Sequence, residues 1–305
     1  MGTKPASKHA PQAQIGIIGG SGLYQMEGFT NLKEIQVATP FGKPSDAIIL
    51  GNFQGLRVAF LARHGRGHRT LPSGINYRAN IHALKSLGVT RVFSVSAVGS
   101  MKEAIRPGDF VLPDQFIDRT TQRDNTFFDQ GIVAHVAFAD PICHTLSTVL
   151  EKASQGVSVK VHRPGTYLCI EGPQFSSRAE SFLYRQWGVD IIGMTNIPEA
   201  KLAREAELCY ATLALVTDYD CWHETEDAVS VGAILSIMHK NVETAKIVLQ
   251  HALELAKGLG TCSCHTALEH AVITPLDRIS PTLRKRYQVL LRRQVSTTLH
   301  SKKRS

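Results

Sequence analysis

Short apolar runs that break off at small, hydroxyl-bearing or acidic residues recur along the chain. Residues 213–216 are uniformly apolar and lead into Thr217-Asp218-Tyr219-Asp220, two acids one residue apart. Residues 15–20 lead into Ser21-Gly22, residues 92–95 into Ser96-Ala97-Val98-Gly99-Ser100, and residues 189–193 into Met194-Thr195-Asn196. A strand buried on both faces reads as a near-continuous apolar run, and in open parallel sheets ligands bind beyond the carboxyl ends of such strands. If these strands are neighbours, Ser21, Ser96, Thr195, Asp218 and Asp220 share one rim. Each alone is an ordinary loop after a strand; their repetition points to a site.

The remaining periodicity predicts an α/β chain. Residues 47–50 and 56–62 flank Asn52-Phe53-Gln54-Gly55 as a hairpin, and the second run delivers Arg63-His64-Gly65-Arg66-Gly67-His68-Arg69. Guanidinium binds phosphate bidentately and imidazolium adds a charge-assisted bond, so this loop is either an anion site or a solvated basic turn. Gly19-Gly20-Ser21-Gly22 is likewise a phosphate cradle or a bare glycine turn; it lacks both the P-loop lysine and the third glycine of a dinucleotide fingerprint. Residues 77–88 are apolar at 81, 84 and 87 and close on Gly88, the pattern of a helix with a glycine cap. Helices are expected over 141–153 and 198–207, a strand over 167–170, and a helix capped by Ser177 that runs to Gly188. Apolar positions at helical spacing from Val231 and Ile234 to Ala256 mark a long core-facing helix. Residues 118–140 are polar and aperiodic, as in a lid or an interface element.

Composition narrows the function classes. A chain of 305 residues buries a sizeable core, and no apolar stretch approaches the roughly 18 residues of a membrane span. Residues 1–13 are polar, lack the apolar region of a signal peptide and read as a disordered start, so a cytoplasmic protein is expected. The net charge of +8 is concentrated: residues 278–305 carry nine Lys and Arg and no acid, which leaves the body near neutrality. That argues against a nucleic-acid surface, and the tail reads as a solvated extension with Tyr287 its one aromatic. Six cysteines are too few for a disulfide scaffold; Cys169 and Cys209 read as small buried apolar residues. Cys262-Ser263-Cys264 has no second ligand pair at zinc spacing, so no metal is expected and a redox-sensitive pair or a crosslink remains.

Across residues 14–268 the chain resembles the trimeric purine nucleoside phosphorylase family. The resemblance rests on Gly19-Gly20-Ser21-Gly22, Ala62-Arg63-His64-Gly65-Arg66, residues 76–80, Ser96-Ala97-Val98-Gly99-Ser100, residues 114–120, residues 171–180, Met194-Thr195 and Thr217-Asp218-Tyr219-Asp220-Cys221-Trp222. It implies a single catalytic domain, a central mixed β-sheet flanked by helices, assembled as a homotrimer or a dimer of trimers. The implied reaction is pentosyl transfer: methylthioadenosine is split by inorganic phosphate, a co-substrate, into adenine and methylthioribose 1-phosphate, with no cofactor, nucleic acid or membrane partner. By the same resemblance Ser21, Arg63, His64, Ser96, Ala97 and Thr195 would hold phosphate. Met194 would lie against the ribose and Phe175 beside the purine, and Ser176, Asp218 and Asp220 would read the base. His135 would reach a neighbour's site and, with Val231 and Ile234, border the methylthio pocket. Ser21 and Ser96 stand where some relatives carry threonine, the C-x-C pair resembles an element of some heat-stable members, and residues 269–305 have no counterpart.

The residue types suit that chemistry. Cleaving an N-glycosidic bond builds oxocarbenium character on the ribose and negative charge on the purine, stabilised by a phosphate anion and by a proton at N7 respectively. A carboxyl raised by burial and by a like charge beside it can hold that proton while its neighbour accepts from the 6-amino group; sequence leaves open which of Asp218 and Asp220 does which. Relatives that prefer 6-oxopurines, the alternative substrates, serve the base with asparagine, so the acid pair favours adenine.

Overall fold

The apolar runs pair into one mixed sheet of 11 strands. In the computed structural model residues 12–20, 22–223 and 231–292 are described, with the backbone alone for 231–235. Ser21 therefore lies outside the described residues, as do the side chains of Val231 and Ile234. The strands are β1 (Ile15–Gly19), β2 (Phe29–Ile35), β3 (Ile48–Phe53), β4 (Leu56–Ala62), β5 (Arg91–Ser100), β6 (Phe110–Val111), β7 (Gln115–Arg119), β8 (Val161–His162), β9 (Thr166–Ile170), β10 (Ile191–Gly193) and β11 (Cys209–Tyr219). The helices are α1 (Tyr77–Ser86), α2 (His144–Ala153), α3 (Arg178–Gln186), α4 (Asn196–Glu205), α5 (Val231–Ala256) and α6 (Pro281–Arg286). The strand order is β2-β3-β4-β1-β5-β10-β9-β7; β11 runs parallel along β5 and carries β6, which pairs β8.

Local chemistry sets the element ends. Gly88 turns the chain out of α1 at φ +93°, a left-handed conformation that glycine adopts without steric cost. The Ser177 hydroxyl accepts from the Glu180 N–H and the Glu180 carboxylate accepts from the Ser177 N–H, closing a capping box on α3. β1 and all but one residue of β11 are buried, which is why both read as apolar runs. They pack in one core with Val92 and Phe93 of β5 and with Ala245, Leu249 and Ala252 of α5.

Four expectations need correction. Residues 96–100 are not a loop: β5 continues to Ser100, because β11 pairs with it along its whole length. The polar stretch 118–140 is no lid: Phe127 and Ile132 are buried at its centre. The basic C-terminal stretch is not a solvated extension as far as residue 292. Ala271, Ile279, Tyr287, Leu290 and Leu291 are buried in the same core, and the Tyr287 hydroxyl donates to Asp129 at 3.1 Å; residues 293–305 lie outside the described residues. Finally, Cys262 and Cys264 do have a second pair of sulfurs beside them, from Cys143 and Cys209.

The packed tail is testable. Replacing a fully buried aromatic by alanine typically costs about 3–5 kcal/mol, so Tyr287→Ala should lower unfolding stability by about that much in a urea titration. A loss under about 0.5 kcal/mol, the usual effect of a surface change, would restore the solvated tail.

Candidate active site

The site forms where β5 changes partners on one edge. β1 pairs that edge as far as Ser94, and β10 takes it over from Gly99, while β11 occupies the other edge throughout. Residues 95–98 therefore have no strand on the first edge, so main-chain polar groups there are left for other partners. Such switch points are where open α/β sheets bind ligands. β10 runs antiparallel to β5 with Ile191 opposite Ser100 and Ile192 opposite Gly99 and ends at Gly193; Thr195 beyond it and Ser96 of β5 both lie beside Tyr167. Thr195 is the residue before α4 and its side chain makes no capping bond; Ile197 is extended (φ −115°, ψ 130°), so the regular helix starts beyond it and residues 195–197 enter the gap as irregular backbone. The Ser96 hydroxyl is buried there with no hydrogen-bond partner among the described residues, and Ala97 beside it is half-buried. Tyr167 backs the gap beside Ser96 and the Thr195 backbone, and it needs Gly193: a Cβ there would stand 2.0 Å from the Tyr167 hydroxyl.

Arg63 and His64, at the end of β4, close the gap from the other side, but not as expected. The Arg63 side chain is buried and committed inward. Its Nε and Nη2 donate to Glu199 at 2.8 and 3.0 Å, its Nη1 to the Val95 carbonyl at 2.8 Å, and its Nη2 to the Ser94 hydroxyl at 2.6 Å. The guanidinium thus has little left for a ligand and serves to tie the β4 end to β5 and α4. His64 Nδ1 lies 2.8 Å from the Thr70 carbonyl, to which it donates as the neutral ring, leaving Nε2 a bare lone pair. Burial pushes the imidazole down to about 4, so it is uncharged near neutral pH.

The acids stand at the opposite end of the cleft. A bulge in β11 between Val216 and Asp218 resets its register on β5, and the Asn241 amide and the Gly108 N–H hold it by donating to the Val216 carbonyl at 2.8 and 2.9 Å. Past the bulge Asp218 leans over Gly99, its Oδ2 3.2 Å from where a Cβ would stand, and its Oδ1 accepts from the Thr217 hydroxyl at 2.6 Å. Asp220 is buried, and that burial raises its carboxyl above the usual range. The Cys221 thiol donates to the Ser176 carbonyl at 3.4 Å and so holds the 171–177 loop beside Asp220; the Ser176 hydroxyl is buried with no partner among the described residues. Phe175 projects from this loop, 75% exposed.

Thus Arg63, His64, Ser96, Ala97 and Thr195 surround the strand gap, while Met194, Ser176, Phe175, Asp218 and Asp220 lie along the same stretch of sheet toward Gly99. His135 lies on a different segment, exposed, its N–H bonded to the Ala271 carbonyl. Sequence reasoning missed the residues that hold this arrangement. Arg123, buried in the polar stretch, donates to the carbonyls of Met194, Ile197 and Glu171 at 2.6, 2.7 and 2.6 Å and to the Glu171 carboxylate at 2.8 Å. Glu199 is fully buried and also accepts from Ser94 and Tyr210 at 2.8 Å each. A carboxylate in the first turn of a helix is unremarkable in sequence; only the fold shows what it pairs with.

Comparison with known proteins agrees with this geometry. The family model described as the phosphorylase superfamily matches residues 14–254. The chain is 55% identical over 280 residues to the S-methyl-5′-thioadenosine phosphorylase of Koribacter versatilis, covering 92% of this chain and 96% of that one. It is 56% identical over 278 residues to the enzyme of the same name from Geobacter sulfurreducens, covering 91% and 97%. Among solved structures, a methylthioadenosine phosphorylase sourced from an Antarctic soil metagenomic library superposes with a TM-score of 0.89 at 52% identity, covering 92% of this chain and all of that one. The methylthioadenosine phosphorylase of Schistosoma mansoni in complex with adenine gives 0.80 at 38% identity, covering 87% and 99%. With its strand-switch cleft, and with relatives matched over nearly their full length, the chain belongs to the phosphorylase superfamily.

Proposed function

We propose that this chain phosphorolyses S-methyl-5′-thioadenosine, releasing adenine and forming 5-methylthioribose 1-phosphate. The observation that carries the reading is the Ser96 hydroxyl, buried with no hydrogen-bond partner among the described residues at the open edge of β5, with a carboxyl pair three residues further along the strand. Three residues of strand span about 10 Å, which leaves room for a ribose between an anion at Ser96 and a purine at Asp218. Phosphate would sit on the Ser96 hydroxyl and the N–H groups of Ala97 and Thr195, with His64 Nε2 facing it and Arg63 positioning the loop. Its oxygen attacks the anomeric carbon as the glycosidic bond breaks. One carboxyl supplies the proton or hydrogen bond at N7, and its neighbour accepts from the 6-amino group. Burial raises the Asp220 carboxyl and so favours its protonated form.

We further propose that the chain works as a homotrimer in the cytoplasm and takes phosphate as its only co-substrate. The exposed Phe175 and His135 support an assembly in which a neighbour covers part of the cleft.

The primary test is release of free base from methylthioadenosine, adenosine, inosine and guanosine with and without phosphate; release of hypoxanthine rather than adenine would overturn the substrate. Asp218→Asn should lose activity on methylthioadenosine and move preference toward inosine-type substrates, and an unchanged ratio would refute its role. Ser96→Ala should raise the KM for phosphate about tenfold, the loss of one hydrogen bond to an anion.

His64 gives a pH test. Its folded value near 4 lies below the ordinary histidine value, so the unfolded chain binds the extra proton between about 6.5 and 4. Stability is therefore full above about pH 6.5 and falls on acidification through that window. A phosphate dianion at Nε2 favours the imidazolium, so phosphate should move the His64 titration upward in NMR; an unmoved titration would place the anion elsewhere.

A further inference from the structure

A second cluster lies away from the cleft and takes no part in the proposed reaction. Cys143 is the residue before α2, Cys209 opens β11, and beyond α5 Cys262 precedes, and Cys264 lies within, a single turn at residues 263–266. Their four sulfur atoms all lie within 4.8 Å of one another, and those of Cys143 and Cys262 are 3.7 Å apart. None is in a disulfide; Cys143, Cys209 and Cys264 are buried and Cys262 is half-buried. Sulfurs about 2.3 Å from a tetrahedral zinc ion are about 3.8 Å from each other, so this spacing suits four ligands of one ion.

The surroundings suit a negatively charged thiolate shell. Cys143 sits at the N-terminus of α2, the positive end of the helix dipole. His265 Nδ1 accepts from the Cys262 N–H at 3.4 Å, which puts the proton on Nε2, shared between the Thr90 carbonyl at 3.3 Å and the Cys209 sulfur at 3.4 Å. An N–H within reach of a ligating sulfur and anchored on a backbone carbonyl is the outer-shell support that metal ligands commonly have. The nearby Arg91 guanidinium donates to the Leu259 carbonyl at 2.8 Å and adds positive charge on the same side. A cavity of about 580 Å³ lined by Cys143, Cys262 and Cys264 gives an ion a way in.

We propose that Cys143, Cys209, Cys262 and Cys264 bind one zinc ion in a tetrahedral all-thiolate site that fastens the segment after α5 to α2 and β11. On binding, the four S–H bonds break heterolytically, four Zn–S bonds form, and the protons pass to solvent; nothing is oxidised or reduced. With four protein ligands the shell is closed, so the ion is structural and leaves no position for substrate. The ligands come from three separate segments, so the ion holds the chain beyond α5 to the sheet, and with it the C-terminal stretch that buries Tyr287.

The test uses the full-length protein purified without chelator. Elemental analysis should find one zinc per chain, and thiol titration after denaturation in chelator should find all six cysteines free. Exchange with cobalt should give the intense visible bands of tetrahedral cobalt thiolate. The double variant Cys262→Ser/Cys264→Ser should lose the metal and melt lower by roughly 5 °C or more, with unchanged kcat for base release. Wild-type protein that is free of metal and takes up no cobalt, or cysteines found paired in disulfides, would overturn the site. One equivalent of another ion would overturn the choice of zinc. If the double variant fails to fold, metal content and the cobalt spectrum of the wild-type protein still decide.

Discussion

The buried pair of Arg63 and Glu199 is the interaction on which the cleft depends. Neither side chain reaches solvent, so each charge is tolerable only because the other is there and because Ser94, Val95 and Tyr210 complete their hydrogen bonds. The pair joins the end of β4, the middle of β5, the first turn of α4 and β11, which are the walls of the gap where β5 changes partners. Its specificity matters more than its net strength: a buried ion pair roughly offsets its own desolvation, but removing one partner strands the other at a cost of about 3–5 kcal/mol. The geometry of the open strand edge is thus locked to the integrity of one salt bridge.

A second constraint acts at the far end of the cleft. Without the β11 bulge, Asp218 and Asp220 would keep the side-chain alternation of the buried strand before them. The extra residue turns both across β5, and glycine at position 99 leaves space for the Asp218 carboxylate. The Arg123 clamp does the corresponding work for the Met194 and Glu171 segments. Each device spends a buried polar group on backbone position rather than on contact with a ligand.

What could be read from the sequence follows from this division. The strands, the Gly88 and Ser177 caps, and the meeting of Ser96, Thr195 and the acids at one rim were legible, because apolar runs and cap chemistry are local signals. The extension of β5 through Ser100 was not, since serine, alanine and glycine look like a loop until β11 is laid beside them. Arg63 was read from its residue type as a phosphate ligand, and its partner lies 136 residues away in sequence. Charge counting made the tail look solvated, although Tyr287, Leu290 and Leu291 within it were apolar enough to pack. The four-cysteine cluster was invisible to spacing rules because its members come from three segments that only the fold assembles.

The commitment of Arg63 to Glu199 also bears on how the proposed reaction is driven. With that guanidinium neutralised and His64 uncharged, the proposed phosphate site would hold its anion mainly through N–H dipoles and hydroxyls. A cradle of free cations would bind phosphate more tightly, but it would bind substrate and transition state alike and draw off the anion's charge. As the glycosidic bond breaks, positive charge grows on the ribose directly beside that anion, and only charge not already compensated by the protein can stabilise it. Dipoles fix the phosphate in place while leaving most of its field for the oxocarbenium ion. The inward turn of Arg63, which looks at first like the loss of a ligand, is on this argument what keeps the nucleophile electrostatically useful.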